Sequence, residues 1–130
     1  MQLNVTTDYA VRIVLYLASK KDYANSYEIS SEMGIPHSYI LKITKVLKDA
    51  KIISEKRGIN GGFILTKKPE NISIMSILIL FEKTMQINRC LEKDKYCSRN
   101  AAGYCKVRES LSGVQTALDE MLSVKISEFL

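Results

Sequence analysis

The chain has 130 residues, a formal net charge of +5 and a single histidine. With 46% hydrophobic and 25% charged residues and no low-complexity tract, it reads as one compact domain, or a small domain with a helical arm, and not as a disordered or fibrous protein. No apolar run reaches the roughly 18 residues of a membrane span, and residues 10–18 contain Arg12 with no basic leader or cleavage site, so we expect a cytoplasmic protein with no membrane partner.

The charge is unevenly spread. Residues 37–68 hold eight Lys and Arg against Asp49 and Glu55, a net +6, whereas residues 107–130 sum to −2. A basic middle and a mildly acidic end point to a polyanion partner for one part of the chain. One histidine, no nucleophile motif and no phosphate-binding glycine loop argue against an enzyme.

In chain order, Thr6 or Thr7 is the expected cap of a first helix, with Asp8 in its first turn near the positive end of the helix dipole. Tyr9, Ala10, Ile13, Val14 and Leu17 keep helical spacing to about Ser19. After a polar loop, Asn25 to Glu28 reads as a capping box opening a short helix through Met33, stopped by Gly34-Ile35-Pro36. A third helix follows over 37–50, with Ile40, Ile43, Val46 and Leu47 on one face. Two helices joined by a tight Gly-containing turn form a helix-turn-helix candidate.

Strands at 52–54 and 63–66, joined by Arg57-Gly58-Ile59-Asn60-Gly61-Gly62, predict a hairpin, and a hairpin at this point is a wing. Residues 72–84 read as a fourth helix capped by Asn71 or Ser73 and apolar enough to be buried on several sides. Val107, Leu111, Val114, Leu118 and Met121 then recur at 4, 3, 4, 3, a coiled-coil seam. Leu122, Ile126 and Phe129 extend a second stripe, so a long helix with two apolar faces is expected to pack against a second copy of the chain. The fold class is therefore mainly α with a small β-hairpin: a winged helix-turn-helix over 1–70, and a cysteine loop with dimerisation helices over 71–130.

In a helix-turn-helix, base edges are reached from the start of the second helix. Here that start presents His37, Ser38, Tyr39 and Lys42, with Lys45 one turn on, and double-stranded DNA is the expected partner. Lysines at such spacing also suit a plain solvated face, and Tyr39 could instead pack on the first helix. The wing tips the balance: Arg57, beside Gly58, Asn60 and Gly61, sits on a loop thin enough for a minor groove.

All three cysteines fall within residues 90–105 as Cys90-x6-Cys97-x7-Cys105. An odd count argues against a disulfide framework. Close C-x2-4-C pairs typical of zinc are absent, as is the C-x-x-C of a thioredoxin-like site. An iron-sulfur cluster is large enough to be held by a longer loop, and three unligated thiols are the alternative.

The stretches TTDYAVRIVLYLA, EISSEMGIPHSYILKITKVLKDAKII and RGINGGFIL, followed by a cysteine loop and a final helix, resemble the Rrf-two family of bacterial winged-helix regulators over essentially the whole chain. The resemblance implies a homodimeric transcriptional regulator. It also implies an iron-sulfur cluster on Cys90, Cys97 and Cys105, although the gaps of six and seven exceed the family's usual five. Two-iron members add a histidine shortly after the last cysteine, and Arg108 stands there instead. The nitric-oxide-sensing branch carries a four-iron cluster completed by an aspartate near the partner's N-terminus, which matches Asp8. The resemblance thus favours 4Fe-4S over 2Fe-2S. It leaves as alternative a metal-free regulator controlled by thiol oxidation or a partner protein, as in cysteine-metabolism members.

Overall fold

The computed structural model describes residues 1–130, arranged as five α-helices and one antiparallel hairpin. Helices α1 (Val5–Lys20), α2 (Ser26–Met33) and α3 (His37–Asp49) precede strands β1 (Ile53–Lys56) and β2 (Gly62–Leu65); α4 (Ile74–Phe81) and α5 (Lys106–Met121) follow. The expected fold class is the observed one.

One continuous core joins α1, through Ala10, Ile13, Val14 and Leu17, to Ile29, Ile35, Ile40, Ile43, Leu47 and Phe63. Burying an aliphatic side chain of this size stabilises by roughly 1.5–3 kcal/mol, which outweighs the modest helical preference of so many β-branched residues. Ile72, Ile77 and Ile126 belong to the same core, so α4 and the C-terminal segment pack on the helix-turn-helix.

The cap of α1 is Asn4, whose Oδ1 accepts from the Thr7 N–H at 2.9 Å, and not Thr6 or Thr7. Asn4 is chosen by a contact 78 residues away: Glu82 accepts from the Asn4 backbone N–H at 3.1 Å, from the Asn4 side-chain amide and from the Thr7 hydroxyl. At α2, Asn25 caps as expected, accepting from Glu28 N–H at 2.8 Å. The Glu28 carboxylate does not complete a capping box, because it is taken by Tyr16 and Lys20 of α1. Gly34 ends α2 at φ 63°, a left-handed conformation natural to glycine.

The fourth helix is shorter than the 72–84 expected and runs over Ile74–Phe81 from a Ser73 cap reciprocated by Ser76. Ile77 and Leu78 are buried while Ile79 is exposed, so its apolar surface is only partly covered within one chain. The second C-terminal stripe is not on α5. That helix ends at Met121; the chain turns, Lys125 bridges Ser73, and the Ile126 N–H donates to Ile72 carbonyl at 2.8 Å, burying Ile126 fully. Along the first stripe Val107, Val114 and Met121 are exposed, and Leu111 and Leu118 half-buried.

Candidate nucleic-acid interface and cysteine loop

Pro36 is the N-cap residue of α3 and supplies no side-chain cap, and the Tyr39 N–H donates to the Pro36 carbonyl at 2.9 Å. Ile40, Ile43, Thr44 and Leu47 face the core. The opposite face presents Ser38, Leu41, Lys42 and Lys45, all exposed. Lys48 is ion-paired with Glu55 at 2.7 Å, whereas Lys42, Lys45 and Arg57 have no carboxylate partner.

Two of the expected DNA residues are more engaged with protein than their position suggests. His37 is half-buried, stacked on Tyr27 at 4.4 Å and hydrogen-bonded to Ser26 Oγ at 2.9 Å. Tyr39 packs edge-on against Tyr9 of α1 at 5.1 Å, the alternative contact foreseen for it.

The wing is set by its glycines. Gly58 and Gly62 have φ of 109° and 137°, and a Cβ on Gly61 would lie 2.1 Å from the Lys56 carbonyl oxygen. Gly62 also lets the wing approach the loop before α2, where Ala24 and Phe63 exchange two backbone hydrogen bonds of 3.0 and 2.8 Å. The tip therefore projects Arg57, Ile59 and Asn60, all exposed, from an anchored hairpin.

The three cysteines are half-buried and unpaired, on a loop of short turns between α4 and α5. Each sulfur faces N–H donors. The Asn88 amide reaches Cys90 Sγ at 3.2 Å, and the Arg108 N–H reaches Cys105 Sγ at 3.5 Å from the first turn of α5. The Cys97 thiol is held below its ordinary pKa by the backbone N–H groups of Ala101 and Arg99, with help from the Arg99 charge and the Asn100 N–H. Donors of this kind suit thiolates, and hence metal-bound sulfur. The loop is not a finished chelate, however, since no three His, Cys, Asp or Glu side chains converge on a metal-sized point. Asp8 stands apart on α1, where it pairs with Arg12 at 2.5 Å.

Two residues whose part no sequence motif indicates hold this loop. Arg108 Nε donates to Cys90 carbonyl at 3.1 Å, tying the loop's start to α5. Gln115, buried on α5, holds Met85 and Ile87 just upstream. Gln115 lies beside the apolar seam, next to Val114, and no spacing in the sequence marks it. Leu41 was legible as a leucine lying off the Ile40-Ile43-Leu47 face.

A glycine wing beside a helix whose outward cations lack carboxylate partners has the architecture of the DNA-binding winged-helix transcriptional regulators. The family model Rrf2, described as "Iron-dependent Transcriptional regulator", matches residues 3–129. The chain belongs to the Rrf2 family, the Rrf-two group that its motifs resemble. It is 29% identical over 125 residues to the HTH-type transcriptional regulator NsrR of Shouchella clausii, covering 94% of this chain and 83% of that one. To NsrR of Halalkalibacterium halodurans it is 31% identical over 120 residues, covering 90% and 81%. Its fold is that of CymR, the global cysteine regulator of B. subtilis, with TM-score 0.81 and 20% identity over 99% of this chain and 95% of that one. IscR of T. potens superposes with TM-score 0.78 and 17% identity over 99% and 85%. No helix is long and apolar enough to cross a membrane.

Proposed function

We propose that this regulator is a homodimeric repressor whose operator affinity is set by an iron-sulfur cluster on the 90–105 loop. Residues 1–70 form the DNA-binding unit, and residues 71–130 the sensing and dimerisation unit. Ser38, Lys42, Lys45 and the N-terminus of α3 enter the major groove, with His37 and Tyr39 as flanking supports. Arg57, Gly58, Asn60 and Gly61 bring a guanidinium to the minor groove. The exposed Val107, Val114 and Met121 stripe supports a second copy as partner, because it is a seam with nothing to cover it within one chain.

Cys90, Cys97 and Cys105 would hold the cluster, 4Fe-4S in preference to 2Fe-2S, with Asp8 of the partner subunit as fourth ligand. The observation that carries this reading is the set of N–H donors around the three sulfurs on one loop. Bound there, the cluster would supply a centre altered by nitric oxide, oxygen or iron supply. The remaining steps belong to the chain. To hold the cluster, the 90–105 loop would have to gather its three thiolates, and Asp8 would have to give up its pairing with Arg12. Arg108 and Gln115 carry the loop's movement into α5, while Glu82 carries that of α4 into the start of α1. Two arrangements of these contacts, differing in DNA affinity, make a switch.

The open arrangement of the loop and the acidified Cys97 thiol favour a second reading, a metal-free regulator governed by thiol oxidation. Anaerobic purification with iron, sulfide and visible absorption measurements separates the two. The cluster reading expects stoichiometric iron and sulfide with sulfur-to-iron absorption. A colourless protein that stays colourless after reconstitution would reject it in favour of thiol control.

A further inference from the structure

Apart from Met1, Leu3 and Val5 near the N-terminus, the large apolar side chains left in solvent on the DNA-binding unit are gathered in one place. Between residues 6 and 78 they are Tyr27, Leu41 and Ile59, at 74%, 60% and 101% exposure. All three line one open cleft bounded by the start of α2, the outer side of α3 and the wing. The core does not need them, since α3 buries Ile40, Ile43 and Leu47 on its other side. Leu41 is flanked on its own helix by Ser38, Lys42 and Lys45. The cleft's charged lining is Glu55, Lys56 and Arg57, and Glu55 is already neutralised by Lys48 at 2.7 Å. What fits is a polyanion carrying an apolar group at the depth of α3. Duplex DNA offers one such group in its major groove, the C5 methyl of thymine.

We infer that Leu41 is a specificity-determining residue that packs on the C5 methyl group of a thymine in each operator half-site. The inference rests on the DNA reading of α3 and the wing. Leu41 has no polar atom to satisfy, so the contact discriminates by burial alone: thymine over cytosine, and over uracil, which shares thymine's hydrogen-bonding edge but lacks the methyl. Burying one methyl group is worth about a fourfold change in affinity. Lys42 and Lys45 would add affinity without distinguishing these bases.

The test uses the full chain, purified anaerobically, and an operator selected from random duplexes with this protein. Each thymine is replaced singly by deoxyuridine, and affinities are measured for the natural chain, Leu41→Ala and Leu41→Met. The expected result is about a fourfold loss for the natural chain at one symmetry-related thymine, abolished in Leu41→Ala and largely kept in Leu41→Met. Leu41 is exposed, so both variants should keep the natural melting temperature, which the same preparations check. Indifference of the natural chain to every deoxyuridine, or an undiminished penalty in Leu41→Ala, would overturn the Leu41 assignment and leave the DNA reading standing. Failure to select any duplex would overturn both.

Discussion

Gln115 Oε1 accepts a hydrogen bond of 2.8 Å from the backbone N–H of Ile87, 28 residues earlier in the chain. The same side chain donates to the Met85 carbonyl and to Asp119 Oδ1, both at 2.9 Å, so one buried amide fixes α5 against the strand of chain that leads into Cys90. Replacing it with Leu keeps the volume but leaves the Met85 and Ile87 backbone groups without partners. The expected cost is about 1–2 kcal/mol in urea unfolding, with faster hydrogen exchange at the Ile87 amide. Unchanged exchange at Ile87 would show that the clamp is not what holds this segment.

Gly62 lets the base of the wing lie against Ala24. At φ 137°, with a Cβ that would fall 2.4 Å from the Ala24 carbonyl oxygen, Gly62→Ala is strained in conformation and in space at once. Breaking the Ala24–Phe63 bridge should destabilise by at least about 2 kcal/mol and lower operator affinity even where the protein remains folded. Gly103→Ala, with open space around it, serves as the control and should be near neutral in denaturant unfolding.

The parts of the fold legible in the sequence are those whose causes are local. Asn25, Gly34 and Pro36 bound their helices by backbone chemistry within a few residues, and the glycines of the wing declare a turn. The cap of α1 and the path of the C-terminus depart from the local pattern because their causes lie far off in sequence. Asn4 is selected by Glu82, and Ile126 leaves its helical stripe to bury against Ile72. Glu28 had the right spacing for a capping box, yet two partners on α1 outcompeted a backbone N–H. For the site, three cysteines in sixteen residues were plain, whereas Arg108 and Gln115, which position their loop, act across turns that no spacing rule reports.

Tyr16 supplies a pH signature. Its hydroxyl donates to the Glu28 carboxylate, which together with partial burial raises its pKa to about 12. A group whose folded pKa is raised stabilises fully below the unfolded value near 10, and that stabilisation is lost as pH rises from about 10 to 12. Tyrosinate absorbance of the folded protein should therefore include a late step that belongs to Tyr16. Tyr16→Phe should remove that late step and lessen the fall of stability over the same range. A late step that survives in Tyr16→Phe would assign it elsewhere.

Lys42, Lys45 and Arg57 are free of carboxylates, so each should act on DNA as a full charge. In a dimer, replacing Lys42 or Lys45 with Ala removes two phosphate contacts and should flatten the plot of log affinity against log salt by nearly 2 in slope. For Lys42 and Lys45 the loss should be similar on operator and random duplex. A weakened variant with an unchanged slope would remove that side chain from the phosphate contacts.

In the proposed switch, the state of the 90–105 loop sets the grip of α3 and the wing on DNA. The most direct measurement of this coupling is operator affinity by fluorescence anisotropy under anaerobic conditions, on one protein preparation before and after controlled nitrosylation or removal of its iron and sulfide. A cluster-controlled switch should change affinity by at least about tenfold, a change lost when Cys90, Cys97 and Cys105 are replaced with Ser. Equal affinity in all states, with iron and sulfide verified in the first, would contradict it.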